Sequence, residues 1–201
     1  KEYIVLNDII LPTQYGTTQI DHVVVSPYGI FVIETKNYKG WIFGHENSEE
    51  WKQSLLGKKT IWGWSSKQHK FRNPIRQNQA HTRTIKRIIS EVGDFRIIPI
   101  VVFSDRADLK ITTPNHIVVN WSSLRSVIKQ YNTQCISDDE IKRIIDYTVS
   151  QQKAQYDQKV ADLGGQGSQQ FNEEILGIKY DDEGHVVNPF EKPAKQETVE
   201  E

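Results

Sequence analysis

Alternation of apolar and polar positions divides the first part of the chain into strands. Residues 3–11, 19–26, 29–36 and 41–45 are short runs of Ile, Val and aromatic residues, the composition that suits a pleated surface. Turn residues separate them at Tyr15-Gly16 and at Ser26-Pro27-Tyr28-Gly29. Residues 46–72 keep no clear period and read as an irregular basic excursion. The period then becomes helical. NPIRQNQAHTRTIKRIISEV (73–92) puts Gln77, His81, Ile85, Ile88 and Val92 on one stripe, with Asn73 as cap and Pro74 at the first helical position. The stripe is apolar toward its C-terminal end and polar at Gln77 and His81, as expected of a helix that borders a pocket.

RIIPIVVFS (96–104) is a near-continuous apolar run, the pattern of a strand buried on both faces. A short strand at 116–120 and a helix from Trp121 to about Tyr131 follow. Ser137-Asp138-Asp139-Glu140 is a capping box for a last helix reaching about Leu163. That helix is amphipathic through Ile141, Ile144, Ile145 and Tyr147. Beyond Ser150 it is rich in Gln and Lys, so residues 151–163 are expected to project into solvent. Strands first and helices afterwards predict an α/β layer fold around a mixed sheet, one domain over 1–150. Residues 164–201 form an acidic tail expected to be mostly disordered, with EILGIKYDDEGHVV as a candidate hairpin and the whole as a candidate docking segment for a protein partner.

Composition changes this picture in three places. With 37% apolar residues and a mean hydropathy of -0.58, no run approaches the roughly 18 apolar residues of a membrane helix. No signal peptide is visible. The lone Cys135 excludes an internal disulfide and suits a reducing, cytoplasmic setting. The chain holds no Met and starts at Lys1, from which we expect a fragment or a trimmed product; a membrane anchor would enter only through a segment ahead of Lys1. Finally, the net charge of -1 hides an asymmetry: residues 51–90 hold 10 Lys or Arg and no acid, and residues 164–201 hold 9 acidic and 3 basic residues. Aromatic residues interleave the basic run. It reads either as a nucleic-acid contact surface or as a solvated loop and helix face.

Charged residues also stand inside apolar strands. A two-residue turn at Pro27-Tyr28 would pair residues whose numbers sum to 55, setting Asp21 opposite Glu34 and Gln19 opposite Lys36. Alternation would put Gln19, Asp21, Val23 and Val25 on one face, and Ile30, Val32, Glu34 and Lys36 on one face of the next strand. Two carboxylates about 4 Å apart repel by about 4 kcal/mol at an effective dielectric near 20. A lysine relieves part of that, and a divalent cation relieves more. Asp21, Glu34 and the carbonyl of Thr35 would make an oxygen site suited to magnesium, with manganese as a substitute. The plainer reading is a structural salt bridge in which Lys36 neutralises Glu34. His81 reads more readily as a satisfied or exposed histidine than as a metal ligand. Gln77 reads equally as a core-edge hydrogen-bonding group.

GTTQIDHVVVSPYGIFVIETKNYKGWIFG, then Trp51, then FRNPIRQNQAH resemble the nuclease-related domain (NERD) family, grouped with the PD-(D/E)XK superfamily of restriction-type endonucleases. The resemblance covers about Tyr3 to Ile89 in detail. It implies a restriction-endonuclease-like three-layer core and metal-dependent hydrolysis of phosphodiester bonds, DNA ahead of RNA, with magnesium as cofactor. By the same resemblance Asp21 and Glu34 would be metal-binding acids, Lys36 the catalytic lysine and Gln77 the glutamine of the family's NP…Q helix. Gln19 matches the glutamine before the aspartate. Lys52, Lys58, Lys59, Lys67, Lys70, Arg72, Arg76 and Arg83 would lie against the nucleic-acid backbone. The superfamily also draws a glutamate from a helix ahead of the first strand, a position this sequence does not contain. A catalytically silent nucleic-acid-binding or partner-docking module is the other reading of the same residues.

Overall fold

The computed structural model describes residues 3–60, 63–162, 179–180 and 186–187, with side chains placed over 3–55 and 67–158. Strands β1 (Ile4–Thr13), β2 (Gly16–Ser26) and β3 (Gly29–Lys36) form an antiparallel meander. After β4 (Gly40–His45), β5 (Glu50–Thr60), β6 (Gly63–Arg72) and helix α1 (Pro74–Ile89), strand β7 (Ile97–Phe103) returns parallel to β3. Strand β8 (Ala107–Thr112), strand β9 (Ile117–Asn120) and helix α2 (Trp121–Ile128) complete the body, and α3 (Asp138–Asp162) lies across it. A two-stranded pair, β10 (Lys179–Tyr180) and β11 (Val186–Val187), falls inside the candidate hairpin. The rest of the tail reading lies outside the described residues.

Three layers result. The first sheet has the order β1-β2-β3-β7-β9. One face packs on α1 and α3 through Val23, Val25, Ile30, Val32, Ile85, Ile88, Ile141 and Ile144. Its other face packs on α2 through Phe31, Ile33, Ile100 and Val102 with Leu124 and Val127. Both faces of the central strands are therefore apolar, which is why β7 reads as an unbroken hydrophobic run.

Residues 46–72 are not an irregular excursion. They supply the hairpin β5–β6 of a second sheet, ordered β6-β5-β4-β8. Its inner face, with Ile42, Trp51 and Phe71, packs on Ile75 of α1 and on Val101 and Phe103 of β7. The two sheets are one bent structure. From Ile30 to Lys36 and again from Gly40 to His45, each residue pairs with the one 67 places on, as in Ile30↔Ile97, Lys36↔Phe103, Gly40↔Ala107 and His45↔Thr112. Gly40, at φ +76°, makes the bend, where a Cβ would meet the Ser54 carbonyl oxygen at 2.7 Å.

Asn73 starts α1 as its sequence suggests. Its Oδ1 accepts from the Ile75 N–H at 2.9 Å, and its Nδ2 donates to the carbonyls of Glu46 and Ser48. The capping box at Ser137 forms too, with the Ser137 N–H donating to Glu140 at 2.8 Å. Helix α3 does not leave the body at Ser150. Gln152 is buried and Tyr156 packs against the core, so contact runs about two turns further.

Candidate active site at the end of β3

The expected hairpin register forms: Ser26↔Gly29 through His22↔Ile33 all sum to 55. The ladder then stops one pair short of Asp21 and Glu34. Asp21 Oδ2 accepts instead from the Thr35 N–H at 2.8 Å and from the Thr35 hydroxyl at 2.7 Å. A carboxylate thus stands where a backbone carbonyl of β2 would continue the sheet. The Thr35 carbonyl shares the direction of its own N–H in an extended strand and faces the same side.

The expected alternation on β2 fails at this point, and the cause lies on the neighbouring strand. Asp8 has a left-handed φ of +50°. It faces Asp21 in the one gap of the β1/β2 ladder, between Asn7↔His22 and Ile9↔Ile20. Leu6 and Ile9 are both in the α1/α3 core, as are Val23 and Ile20. Both strands therefore change face together at the Asp8 and Asp21 level, and Asp21 is turned toward the end of β3. Gln19 is not opposite Lys36; its Nε2 donates to Asp8 Oδ1 at 3.1 Å.

Glu34 faces α1 and is 1% exposed. Lys36 Nζ lies 2.5 Å from Glu34 Oε1 and 3.1 Å from Gln77 Oε1, so a strand pair and a helix residue 41 positions on meet around one ammonium. The polar end of the α1 stripe thus borders the site, as the sequence pattern predicts. His81 departs from its reading as a satisfied or exposed histidine. It is buried, and its Nδ1 lies 3.2 Å from Glu34 Oε2 with neither atom in a hydrogen bond. Asn78, which the sequence reading passes over, is 1% exposed. Its Nδ2 donates to the carbonyls of Val32 and Ile100 at 3.0 Å each and fixes α1 across β3 and β7.

One observation bears on whether these residues could hold an oxygen-binding cation: Glu34 Oε2 is buried and makes no hydrogen bond, with His81 Nδ1 at 3.2 Å, so a lone pair remains to be used. Asp21, Glu34 and the Thr35 carbonyl would be the protein's share, with water or substrate oxygen completing the shell, as magnesium prefers. Among the described residues no group of three or more His, Cys, Asp and Glu converges.

Of the basic residues, Lys52, Lys67, Lys70, Arg72, Arg76 and Arg83 are exposed. Lys70 pairs with Glu50 at 3.1 Å, and Arg76 donates to the Asn47 carbonyl at 3.0 Å and approaches Glu49 at 3.6 Å. Lys58 and Lys59 carry no described side chain.

A second polar cluster braces the region. Glu46 accepts from Asn115 Nδ2 at 2.8 Å and from the Asn115 N–H at 3.1 Å, and its Oε2 lies 2.9 Å from His116 Nδ1. His116 Nε2 meets the Gln79 amide nitrogen of α1 at 2.9 Å, an arrangement that requires Nε2 to accept and Nδ1 to donate. The hydrogen bond from His116, then those from Asn115, hold the Glu46 carboxyl below its ordinary 4.5. A lowered folded pKa contributes stability that is complete above the unfolded value and is lost as pH falls through the folded one. Glu46→Gln should therefore flatten the fall in urea midpoint below about pH 4.5, and an unchanged acid limb would remove Glu46 from that role.

Among the described residues no helix is long and apolar enough to cross a membrane. The chain is 34% identical over 148 residues to an uncharacterised protein of Bacillus anthracis, a match covering 72% of this chain and 65% of that relative. No solved structure matches the chain. The profile of the nuclease-related domain matches residues 1–104, a span that holds β1 to β7 and every residue gathered at the end of β3. The chain belongs to the nuclease-related domain (NERD) family.

Proposed function

We propose that this chain is a metal-dependent nuclease that hydrolyses phosphodiester bonds at the end of β3, with DNA ahead of RNA as substrate on the family's likeness to restriction-type endonucleases. The observation that carries the reading is Lys36 Nζ, held by Glu34 Oε1 at 2.5 Å and Gln77 Oε1 at 3.1 Å while its side chain stays 19% exposed. A lysine fixed by two acceptors and still open to solvent can donate to a phosphate oxygen. Magnesium bound by Asp21, Glu34 and the Thr35 carbonyl would supply Lewis acidity and a bound water of lowered pKa.

The protein's own contributions follow from the geometry. Lys36 orients or helps deprotonate the attacking water and offsets charge gathering on the phosphate. Gln77 holds the lysine. Thr35 holds the Asp21 carboxylate in line with the strand end. Exposed Lys and Arg of β5, β6 and α1 bear on the nucleic-acid backbone.

The silent-module reading draws on a different observation. Glu34 is 1% exposed and already neutralised by Lys36. A magnesium titration with supercoiled plasmid and with a single-stranded substrate separates the two. Cleavage that rises with magnesium and stops with chelator is expected; binding without cleavage would leave the silent module standing.

A further inference from the structure

The outer face of the second sheet has no covering element among the described residues, and its chemistry is distinctive. Trp41 and Phe43 alternate on β4 and are 46% and 42% exposed, while Ile42 between them is buried in the inner core. The rings do not stack on each other: their centroids are 6.4 Å apart with planes at 81°. Cross-strand pairing sets Phe43 beside Lys52 and Lys110, with Lys70 beyond Lys52. One row across the sheet therefore reads Lys70, Lys52, Phe43, Lys110. Lys70 is tied to Glu50 and Lys110 to Asp108, each at 3.1 Å; Lys52 makes no ion pair among the described residues.

We propose that this face is a stacking platform for unpaired nucleobases, with Trp41 and Phe43 as the stacking rings and the lysine row meeting the phosphates. Large rings presented side by side on a strand, with Lys52 and Lys110 flanking Phe43 and Ser54 and Asp108 flanking Trp41, suit a single strand whose bases are splayed out. A duplex hides those base faces. A second copy of this chain is disfavoured, because a two-fold contact through this face would bring both copies' unpaired Lys52 to it while Glu50 and Asp108 are already engaged by Lys70 and Lys110.

At the bend between the sheets, a cleft of about 540 Å³ is lined by Thr35, Lys36, Arg106 and Trp121 among others. Lys36 belongs to the candidate active site, and the Arg106 carbonyl accepts from Gly40, the first residue of β4. Trp121, which also lines that cleft, is 52% exposed. The inference shares with the proposed function the assumption that nucleic acid is the ligand, but it needs neither metal nor cleavage.

The test is binding of the full chain in chelator, by fluorescence anisotropy, to a labelled oligothymidine of about twelve nucleotides and to a duplex of equal length. The combined Trp41→Ala and Phe43→Ala variant should weaken single-strand binding tenfold or more and leave duplex binding within about twofold. Trp41→Phe with Phe43→Tyr should keep the affinity within about threefold, which separates stacking from loss of fold. Lys52→Ala, which spares both rings, should lower the salt slope by about one ion. Overturning results are a wild type with no affinity for the strand, equal loss on strand and duplex, no loss at all, or a dimer that the double alanine variant dissociates. A failure of magnesium-dependent cleavage would count against the proposed function alone.

Discussion

Glu34→Gln is expected to lower magnesium-dependent cleavage at least about a thousand-fold while the protein remains folded. The amide keeps the shape of the carboxylate and still accepts from Lys36 Nζ, 2.5 Å away in the parent, so packing against α1 survives. What it removes is the charge on Oε2, the buried oxygen with no hydrogen-bond donor. A neutral oxygen there holds a divalent cation poorly. Lys36 is not stranded, because its side chain is 19% exposed and Gln77 still accepts from it. Lys36→Ala should cost about a hundred- to a thousand-fold by a different route, through lost charge stabilisation at the phosphate. Plasmid cleavage with wild-type nucleic-acid binding and wild-type urea midpoints measures both. Full activity in Glu34→Gln would remove this strand end from the chemistry.

Trp51→Ala should destabilise the fold by about 3–5 kcal/mol. The indole is fully buried and lies parallel to Phe103, with centroids 6.0 Å apart and planes at 4°. Phe71 meets it edge-on at 6.4 Å, and its Nε1 donates to the His45 carbonyl at 3.1 Å. Gly44 exists to admit it: a Cβ there would lie 2.2 Å from the ring. The cavity left by alanine cannot close, since its walls are β4, β6, β7 and the start of α1. Urea unfolding reads the change, with Trp51→Phe expected between the two. A shift below about 1 kcal/mol would mean that the second sheet does not depend on this ring.

Much of the framework is legible because local signals and packing agree. The two-residue turn sets the β2/β3 register, Asn73-Pro74 opens α1, and the helical stripe leads to Gln77. The hairpin β5–β6 escapes the sequence reading because its inward positions include Gln53, buried and polar, next to Trp51, and because its register shifts between Leu56 and Lys59. Strand β8 escapes for a related reason: Asp108, Lys110 and Thr112 are exposed and Leu109 and Ile111 only half-buried. At the candidate site, the residue types are readable but their directions are not. A left-handed Asp8 leaves no mark in composition, yet it turns Asp21 toward Thr35. His81 is likewise visible as a member of the stripe; only the docking of α1 reveals Glu34 as its neighbour.

The constant offset between the strand pairs β3·β7 and β4·β8 has a kinetic consequence. Bringing Ile30 to Ile97 closes one long loop, and every later pair out to His45↔Thr112 follows without a second search. That single closure costs about 4 kcal/mol of chain entropy, spread over two sheets rather than one. The β1–β3 meander can form early from near neighbours. The β4–β5–β6 meander, with Trp41, Phe43, Lys52 and Lys70, can form from near neighbours too, so of that outer face only Lys110 on β8 waits on the long closure.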